Sequence, residues 1–117
     1  MRDIHHFISG QSFTGNSGRY SDVFDPNTGE VQARVQLASV DEVDRAIQAA
    51  QNAFESWSST NPQRRARVMF EFKRLVEANI DELAALLSKE HGKVIADSKG
   101  DIQRGLEVIE FACGIPH

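Results

Sequence analysis

One cysteine, four histidines and one glycine–lysine pair are the residues of this sequence whose types could carry out chemistry. A nucleophilic cysteine needs a base and an orienting acid, but no such pairing stands near Cys113 in the sequence. Cys113 instead falls on an apolar helical stripe, where a buried thiol is usually inert. We therefore interpret Cys113 as a small core residue, and we predict no catalytic residue in this chain.

The possible metal and phosphate sites are incomplete. Zinc needs three or four protein ligands, whereas neighbours in a strand, such as His5 and His6, point to opposite faces. The other two histidines, His91 and His117, stand at a predicted helix end and at the last position. Gly92-Lys93 lacks the upstream glycine and the following hydroxyl of a phosphate-binding loop, so a helix C-terminal cap is the better interpretation.

The remaining charged residues are interpreted as solvated helix faces. They are the acidic residues Glu42, Glu55, Glu77 and Glu82, and the basic run Arg64-Arg65-Ala66-Arg67, which Glu71 balances. The chain as a whole carries a formal net charge of −4 and has a pI near 5.5. This acidic balance argues against a nucleic-acid partner, which would favour a basic surface.

The composition indicates a folded protein of the cytoplasm. Hydrophobic residues make up 40% of the chain and charged residues 26%, which permits a core. No apolar run approaches the ~18 residues of a membrane span, and the first residues contain no apolar signal-peptide segment. A single cysteine forbids an internal disulfide and fits a reducing compartment.

Residues 1–38 are predicted to form a small β-unit. Two alternating segments, 20–24 and 30–37, flank the turn signal Asp25-Pro26-Asn27-Thr28-Gly29, and Gly10-Gln11 is predicted as another turn. In the second segment Val31, Ala33, Val35 and Leu37 share one face, and Gln32, Arg34 and Gln36 share the other. A meander or hairpin with one buried face is the simplest interpretation.

Residues 39–117 are predicted to form three to four helices. Ser39 and Glu42 form a capping box for a helix over about 40–57, and Asn61 with Pro62 opens a second helix. The second helix bends or restarts at 79–81, where Asp81 is a possible cap, and Gly92 stops it. The last helix begins near 94–97. The predicted stripes are Val43, Ala46, Ile47, Ala50, Phe54 and Trp57; Val68, Met69, Phe72, Leu75 and Val76; and Ile102, Leu106, Ile109 and Cys113.

In this order, the segments resemble the amino-terminal part of the aldehyde dehydrogenase superfamily. The matching segments are Phe7-Ile8-Ser9-Gly10, Phe24-Asp25-Pro26-Asn27-Thr28-Gly29-Glu30, Ala53-Phe54-Glu55-Ser56-Trp57, Pro62-Gln63-Arg64-Arg65-Ala66-Arg67 and Glu90-His91-Gly92-Lys93. Residues 100–116 resemble the methylmalonate-semialdehyde dehydrogenase family, which carries a run of the form R-G-[LI]-x-x-[VI]-E-[FH]-A.

This resemblance implies a fold, an activity and further domains outside residues 1–117. The fold is an α+β piece of an α/β enzyme, the first part of an NAD-binding domain, with the catalytic and oligomerisation domains outside residues 1–117. The activity is that of a homo-oligomeric oxidoreductase that converts methylmalonate or malonate semialdehyde to propionyl- or acetyl-CoA with NAD and CoA. Cys113 does not match the family's nucleophile, and we expect neither cofactor to bind the 117 residues alone. The apolar end at residue 117 likewise leads us to expect that the sequence continues.

Arg104 is the candidate residue for recognition of the substrate. On a helix it lies about 200° around the axis from Ile102 and shares a face with Val108 and Phe111. We expect the next residue, Gly105, to be required by close packing, because glycine costs about 1 kcal/mol of helix stability relative to alanine. A guanidinium fork matches a carboxylate, which a semialdehyde acid carries.

The resemblance agrees with this role for Arg104. In the methylmalonate-semialdehyde branch, an arginine at this helix position is associated with the substrate carboxylate. The alternative is a surface ion pair of Arg104 with Asp101 or Glu107, which would contribute little.

The resemblance also implies a weak monovalent-cation site. In relatives, a carbonyl just before the N-P turn and the acidic residue of the E-x-G-K helix end bind a structural cation. By residue match these are Phe24, with Val23 adjacent, and Glu90. An ordinary glutamate at a helix end is the alternative for Glu90.

Two other functions stay open. One is a non-catalytic helical module that self-associates, and the other is part of a general aldehyde dehydrogenase that acts without CoA. The helix over 40–57 and the Ile102 stripe both have apolar faces, which the short β-unit cannot cover together. We therefore expect the isolated chain to self-associate.

Overall fold

The computed structural model describes residues 1–117, which form two compact units, Met1–Ser59 and Thr60–His117. The first unit contains the strands β1 (Arg2–Ile4), β2 (His6–Ile8), β3 (Gln11–Phe13), β4 (Tyr20–Phe24) and β5 (Val31–Gln36), and the helix α1 (Val40–Ser59). The second contains α2 (Pro62–Ala78), α3 (Ile80–His91) and α4 (Ile95–Cys113). The predicted order, short strands followed by helices, is confirmed.

The strands form a three-stranded sheet and a separate hairpin. β5 lies in the centre of the sheet, antiparallel to β4 and parallel to β1, while β2 and β3 pair antiparallel with each other. The predicted hairpin of β4 and β5 is therefore confirmed. The parallel pairing of β1 with β5 differs from a meander, in which neighbouring strands in sequence would pair.

Both predicted turns join antiparallel strands, but one is displaced. Gly29 has a φ of 75° and donates its N–H to the carbonyl of Asp25 over 2.8 Å. Between β2 and β3 the turn residues are Ser9 and Gly10, with φ angles of 54° and 74°. Two successive left-handed residues suit a two-residue hairpin turn, so Gln11, predicted in the turn, is instead the first residue of β3.

Gln36, the last residue of β5, departs from the predicted burial pattern of this strand. Ala33 is buried as expected, but Gln36, which was assigned to the polar face, is buried too. Its side-chain amide donates to the carbonyl of Gly15 over 2.6 Å, and its side-chain oxygen accepts the N–H of Gly15 over 2.7 Å. These two hydrogen bonds satisfy the buried amide.

The beginning of α1 has the predicted capping box. The N–H of Glu42 donates to Ser39 Oγ over 3.2 Å, and the N–H of Ser39 donates to Glu42 Oε2 over 2.7 Å. The prediction that Glu42 is solvated is wrong, because Glu42 is only 3% exposed and its Oε1 accepts the N–H of Asn16 over 2.5 Å. The apolar stripe of α1 is mostly exposed: Ala46 is half-buried, and the exposed members are Val43, Ile47, Ala50, Phe54 and Trp57.

The second and third helices are separated where the sequence predicts a break. Asn61 Oδ1 accepts the N–H of Gln63 over 2.9 Å and caps α2, with Pro62 as its first residue. The prediction that Asp81 caps this helix is wrong, because Asp81 lies within the first turn of α3. The capping position is Asn79, whose side chain donates to the carbonyl of Leu75 over 2.7 Å. At the other end of α3, Gly92 adopts a φ of 85°, as a C-terminal cap requires.

The core of the second unit lies where α4 packs on α2 and α3. Leu106 and Cys113 from the predicted stripe of α4 are buried, as are Ala66 of α2 and Ala84 of α3. The hydroxyls of Ser88 and Ser98 share a hydrogen bond of 2.7 Å. The Ile102 stripe is therefore covered by α2 and α3 and not by the β-unit.

The predicted stripe of α2 divides between two environments. Met69 and Val76 are half-buried, whereas Val68, Phe72 and Leu75 are exposed. None of the four helices combines the length and apolar character that a membrane span requires.

Candidate functional site

Arg104 lies on the outer face of α4. Its side chain is 74% exposed, and its Nη1 donates to Asp101 Oδ1 over 2.5 Å, one turn earlier on the helix. Helical geometry places Val108 and Phe111 within about 40° of Arg104 around the axis, and both are exposed. The structure thus gives the predicted shared face, and it also contains the alternative ion pair with Asp101.

Asp101 forms ion pairs with two side chains, those of Arg104 and Lys93. Its Oδ2 accepts a hydrogen bond from Lys93 Nζ, which reaches it from the segment between α3 and α4. The hydrogen bond from Lys93, together with the charges of Lys93 and Arg104, lowers the pKa of Asp101 below its ordinary value. Asp101 is therefore an anion at neutral pH and joins the two cations.

Gly105 has no packing role within this chain. A Cβ placed at Gly105 would meet no atom within 4 Å, and the same holds at Gly100. The expected packing reason for Gly105 is thus absent from residues 1–117, and the surface next to Arg104 is open.

Cys113 is a buried residue of the second unit, as the sequence predicts. It is 1% exposed and lies on the same stripe of α4 as Leu106. A thiol in this position has no access to a substrate in solution, which fits a packing role.

The two residues of the implied cation site lie in different units. Phe24 is the last residue of β4, where the pairing with β5 is irregular, and its carbonyl accepts the side-chain amide of Gln32 over 3.1 Å. A carbonyl oxygen has two lone pairs, so this hydrogen bond leaves room for another donor or a cation. Glu90 lies in the last turn of α3.

The histidines do not assemble a metal centre. The structure contains no group of three or more His, Cys, Asp and Glu side chains that could hold a metal ion. His6 instead stacks on Phe13, with 6.4 Å between ring centroids.

Sequence reasoning missed the importance of Lys93 and underestimated Asp101. The spacing of Asp101 and Arg104 by three residues indicates a helical ion pair, so that contact could be predicted. The sequence does not indicate the contact of Lys93 with Asp101, because that contact depends on how the chain turns between α3 and α4. Glu71, which was predicted to balance the basic run on α2, forms its ion pair with Arg74 over 2.6 Å.

Comparison with known proteins gives the family of this chain. Residues 13–117 match the aldehyde dehydrogenase family. The chain belongs to that family. It is 43% identical, over 99% of its length, to malonate-semialdehyde dehydrogenase from Pseudomonas aeruginosa, of which it covers 23%.

Two solved structures of aldehyde dehydrogenases resemble this chain throughout its length. One is a methylmalonate-semialdehyde dehydrogenase from Sinorhizobium meliloti 1021 complexed with NAD, with 54% identity and a TM-score of 0.96. The match covers 100% of this chain and 24% of the Sinorhizobium chain. The other is methylmalonate-semialdehyde dehydrogenase from Oceanimonas doudoroffii, with 47% identity and a TM-score of 0.95, matched over 99% and 24%.

These similarities confirm the predicted fold class and family. The strands and four helices correspond to the start of an aldehyde dehydrogenase NAD-binding domain. The chain spans about a quarter of the length of the relatives that it matches.

Proposed function

We propose that this chain is the amino-terminal part of an enzyme that oxidises methylmalonate or malonate semialdehyde to propionyl- or acetyl-CoA, with NAD and CoA. The names of the relatives support the substrate class, since each contains a semialdehyde of a dicarboxylic acid. The resemblance of residues 100–116 supports the use of CoA, the homo-oligomeric state and a place in valine or inositol catabolism. The single cysteine supports a cytoplasmic location, because it fits a reducing compartment.

Arg104 is the observation that carries this proposal. Substrates of this class have a carboxylate at the end opposite the reacting aldehyde, and an arginine binds a carboxylate through parallel N–H donors. Arg104 is exposed, has exposed apolar neighbours in Val108 and Phe111, and adjoins the open surface at Gly105. This face can bind the carboxylate through the guanidinium while the apolar side chains contact the carbon chain.

The nucleotide contacts are assigned to the part of the enzyme outside this chain. Residues 1–117 contain no glycine-rich phosphate loop. The one helix that directly follows a strand, α1, begins with Asp41 and Glu42, which disfavour phosphate at a helix N-terminus. The residues of this chain therefore do not fit the phosphates of NAD or CoA.

Replacing Arg104 in the complete enzyme tests the function. Because a charge-assisted hydrogen bond contributes ~1.5–3 kcal/mol, Arg104→Leu should reduce kcat/KM for malonate semialdehyde roughly tenfold to a hundredfold. Activity with propionaldehyde, which has no carboxylate, should change little. Arg74→Leu is the matched control, because the side chain of Arg74 is also mostly exposed (62%) and pairs with an acid three residues away on α2. Equal losses on both aldehydes would show that Arg104 is structural.

The isolated chain is proposed to be inactive. The reaction needs a thiolate at the substrate and a bound nicotinamide, and the single cysteine of this chain is buried. Formation of NADH from malonate semialdehyde by the purified 117 residues, above a protein-free blank, would contradict this.

Phe24 and Glu90 remain the proposed ligands of a weak monovalent cation. The carbonyl of Phe24 and the carboxylate of Glu90 are oxygen ligands, which alkali cations prefer. In the complete enzyme, the thermal midpoint should rise more with potassium than with tetramethylammonium at the same ionic strength. Glu90→Gln should remove this difference, and an undiminished difference would exclude Glu90 as a ligand.

A further inference from the structure

Lys93, Asp101 and Arg104 form one ionic cluster, which we call the triad. The two oxygens of Asp101 are used by different cations, Oδ2 by Lys93 and Oδ1 by Arg104. The side chains become more exposed along the triad, from 23% for Lys93 through 37% for Asp101 to 74% for Arg104. Lys93 thus holds the inner end of the triad, and Arg104 faces solvent.

The charges of the triad leave Arg104 able to attract an anion. A pair of Arg104 and Asp101 alone would be neutral, and the nearby carboxylate would repel that of a substrate. Lys93 brings the cluster to a net charge of +1. Arg104 contacts Asp101 through Nη1, whereas a guanidinium has five N–H donors, so donors remain for a second carboxylate.

The geometry of the triad also restricts Arg104. An exposed arginine samples many rotamers and loses that freedom on binding a ligand. The hydrogen bond to Asp101 restricts the guanidinium before substrate arrives, which lowers the entropic cost of binding. Asp101 can do this because Lys93 holds its other oxygen from a different segment of the chain.

We infer that Asp101 is a positioning residue for Arg104 and that Lys93 maintains the positive charge of the triad, so that all three residues determine specificity for an acidic aldehyde. This inference rests on the proposed role of Arg104. It adds two residues, neither of which contacts the substrate, to the recognition of the carboxylate.

The variants Asp101→Asn and Lys93→Met of the complete enzyme test this inference. Lys93→Met leaves a neutral pair and should raise the KM for malonate semialdehyde roughly threefold to tenfold, with little change in kcat. Asp101→Asn raises the charge of the cluster to +2, so attraction alone would lower that KM. A positioning role predicts the opposite, an increase of roughly threefold to tenfold, and Asp101→Glu should restore most of the affinity.

Propionaldehyde and one further variant are the controls. The KM for propionaldehyde should be unchanged in each variant, and Glu71→Gln, which breaks the Glu71–Arg74 pair on α2, should leave both substrates unaffected. A lower or unchanged KM for malonate semialdehyde in Asp101→Asn overturns the inference. Equal losses on both aldehydes in the Asp101 and Lys93 variants also overturn it, because the triad would then only support the fold. Failure of the proposed function is a separate result, in which Arg104→Leu itself has no selective effect.

Discussion

Gly15 lies within a partly buried polar cluster of the first unit, and this cluster leaves no space for a side chain at position 15. A Cβ at Gly15 would lie 2.7 Å from Glu42 Oε1 and 3.0 Å from His6 Nε2. Glu42 cannot easily move away, because its two oxygens accept the N–H groups of Asn16 and Ser39. The absence of a side chain at Gly15 thus lets the loop approach α1 closely.

Substitution of Gly15 should destabilise the chain, whereas substitution of Gly105 should not. We expect Gly15→Ala to lower the free energy of unfolding by about 1–3 kcal/mol, because the cluster must shift to admit the methyl group. Gly105→Ala is the matched comparison. It lies in open space inside α4 and should raise the free energy of unfolding by about 0.5–1 kcal/mol. Urea denaturation of both variants checks this, and equal effects would contradict the contact described at Gly15.

The stability of the first unit should fall in acid through Glu42. Hydrogen bonds from the backbone N–H groups of Ser39 and Asn16 lower the pKa of Glu42 below its ordinary value, and burial opposes them only in part. A group with a lower pKa in the folded state stabilises the protein fully above its unfolded pKa, and this contribution is lost as the pH falls through the folded value.

The variant Glu42→Gln should therefore flatten the acid limb of the stability curve. Denaturation midpoints between about pH 6 and pH 3 should fall less steeply for Glu42→Gln than for the wild type. Glu55→Gln, which changes an exposed glutamate on the same helix, should retain the wild-type slope. An unchanged slope in Glu42→Gln would show that this carboxylate does not link folding to protonation.

Whether a side-chain hydrogen bond can be predicted from the sequence depends on how far apart its two partners lie along the chain. The bonds between Ser39 and Glu42 could be predicted, because the S-x-x-E spacing places both partners in one helical turn. The burial of Gln36 and Glu42 could not, because their other partners, Gly15 and Asn16, lie 21 and 26 residues away. No local pattern encodes those contacts.

The same distinction applies to the secondary-structure elements. Prolines, glycines and capping residues predicted the beginnings of α1 and α2, the break at Asn79 and the end of α3. The faces of the helices were harder to predict, because α2 has apolar residues on more than one side and only packing decides which side is covered. For α4 the stripe from Ile102 to Cys113 was the correct inner face.

The cap of α2 should make a measurable contribution to the second unit. Asn61→Ala removes the side-chain acceptor for the N–H of Gln63 and should cost about 1 kcal/mol of stability. Asn61→Asp keeps an acceptor oxygen and should stay close to the wild type. Chemical denaturation followed by circular dichroism near 222 nm measures both, and an equal loss in the two variants would mean that the cap is not the cause.

At the scale of the whole chain, exposed apolar residues outnumber buried ones. Five apolar residues are buried, whereas twenty-one large apolar residues are exposed. Patches of several hundred Å² are uncommon on soluble monomers. The apolar residues Val68, Phe72 and Leu75 are exposed on α2 and line a shallow pocket together with Arg67 and Glu71, and we call this surface the α2 patch.

The isolated chain should self-associate through surfaces such as the α2 patch. Sedimentation velocity over about 5–200 μM should show a concentration-dependent increase in mean mass, because burial of apolar area drives association. Phe72→Asp should weaken this association, whereas Gln51→Asp, which adds the same charge at an exposed polar position of α1, should not. A monomer at all concentrations would contradict the prediction.

The family was easier to predict from the whole sequence than the surfaces were. Five short motifs in a fixed order indicated an aldehyde dehydrogenase, although each motif alone is weak. These motifs mark turns and helix ends, and they carry no information on which faces of α1 and α2 are exposed.

The parallel pairing of β1 with β5 has a consequence for the order in which the sheet is assembled. Arg2 pairs with Ala33, so the loop that must close spans about thirty residues and loses more chain entropy than the short turn between β4 and β5. Formation of the β4–β5 hairpin therefore precedes docking of β1, which has no other strand to pair with. During synthesis on a ribosome, β1 thus emerges before β4 and β5 but joins their sheet after them. Until β5 follows it, β1 has unpaired backbone groups that are open to pairing with a neighbouring chain.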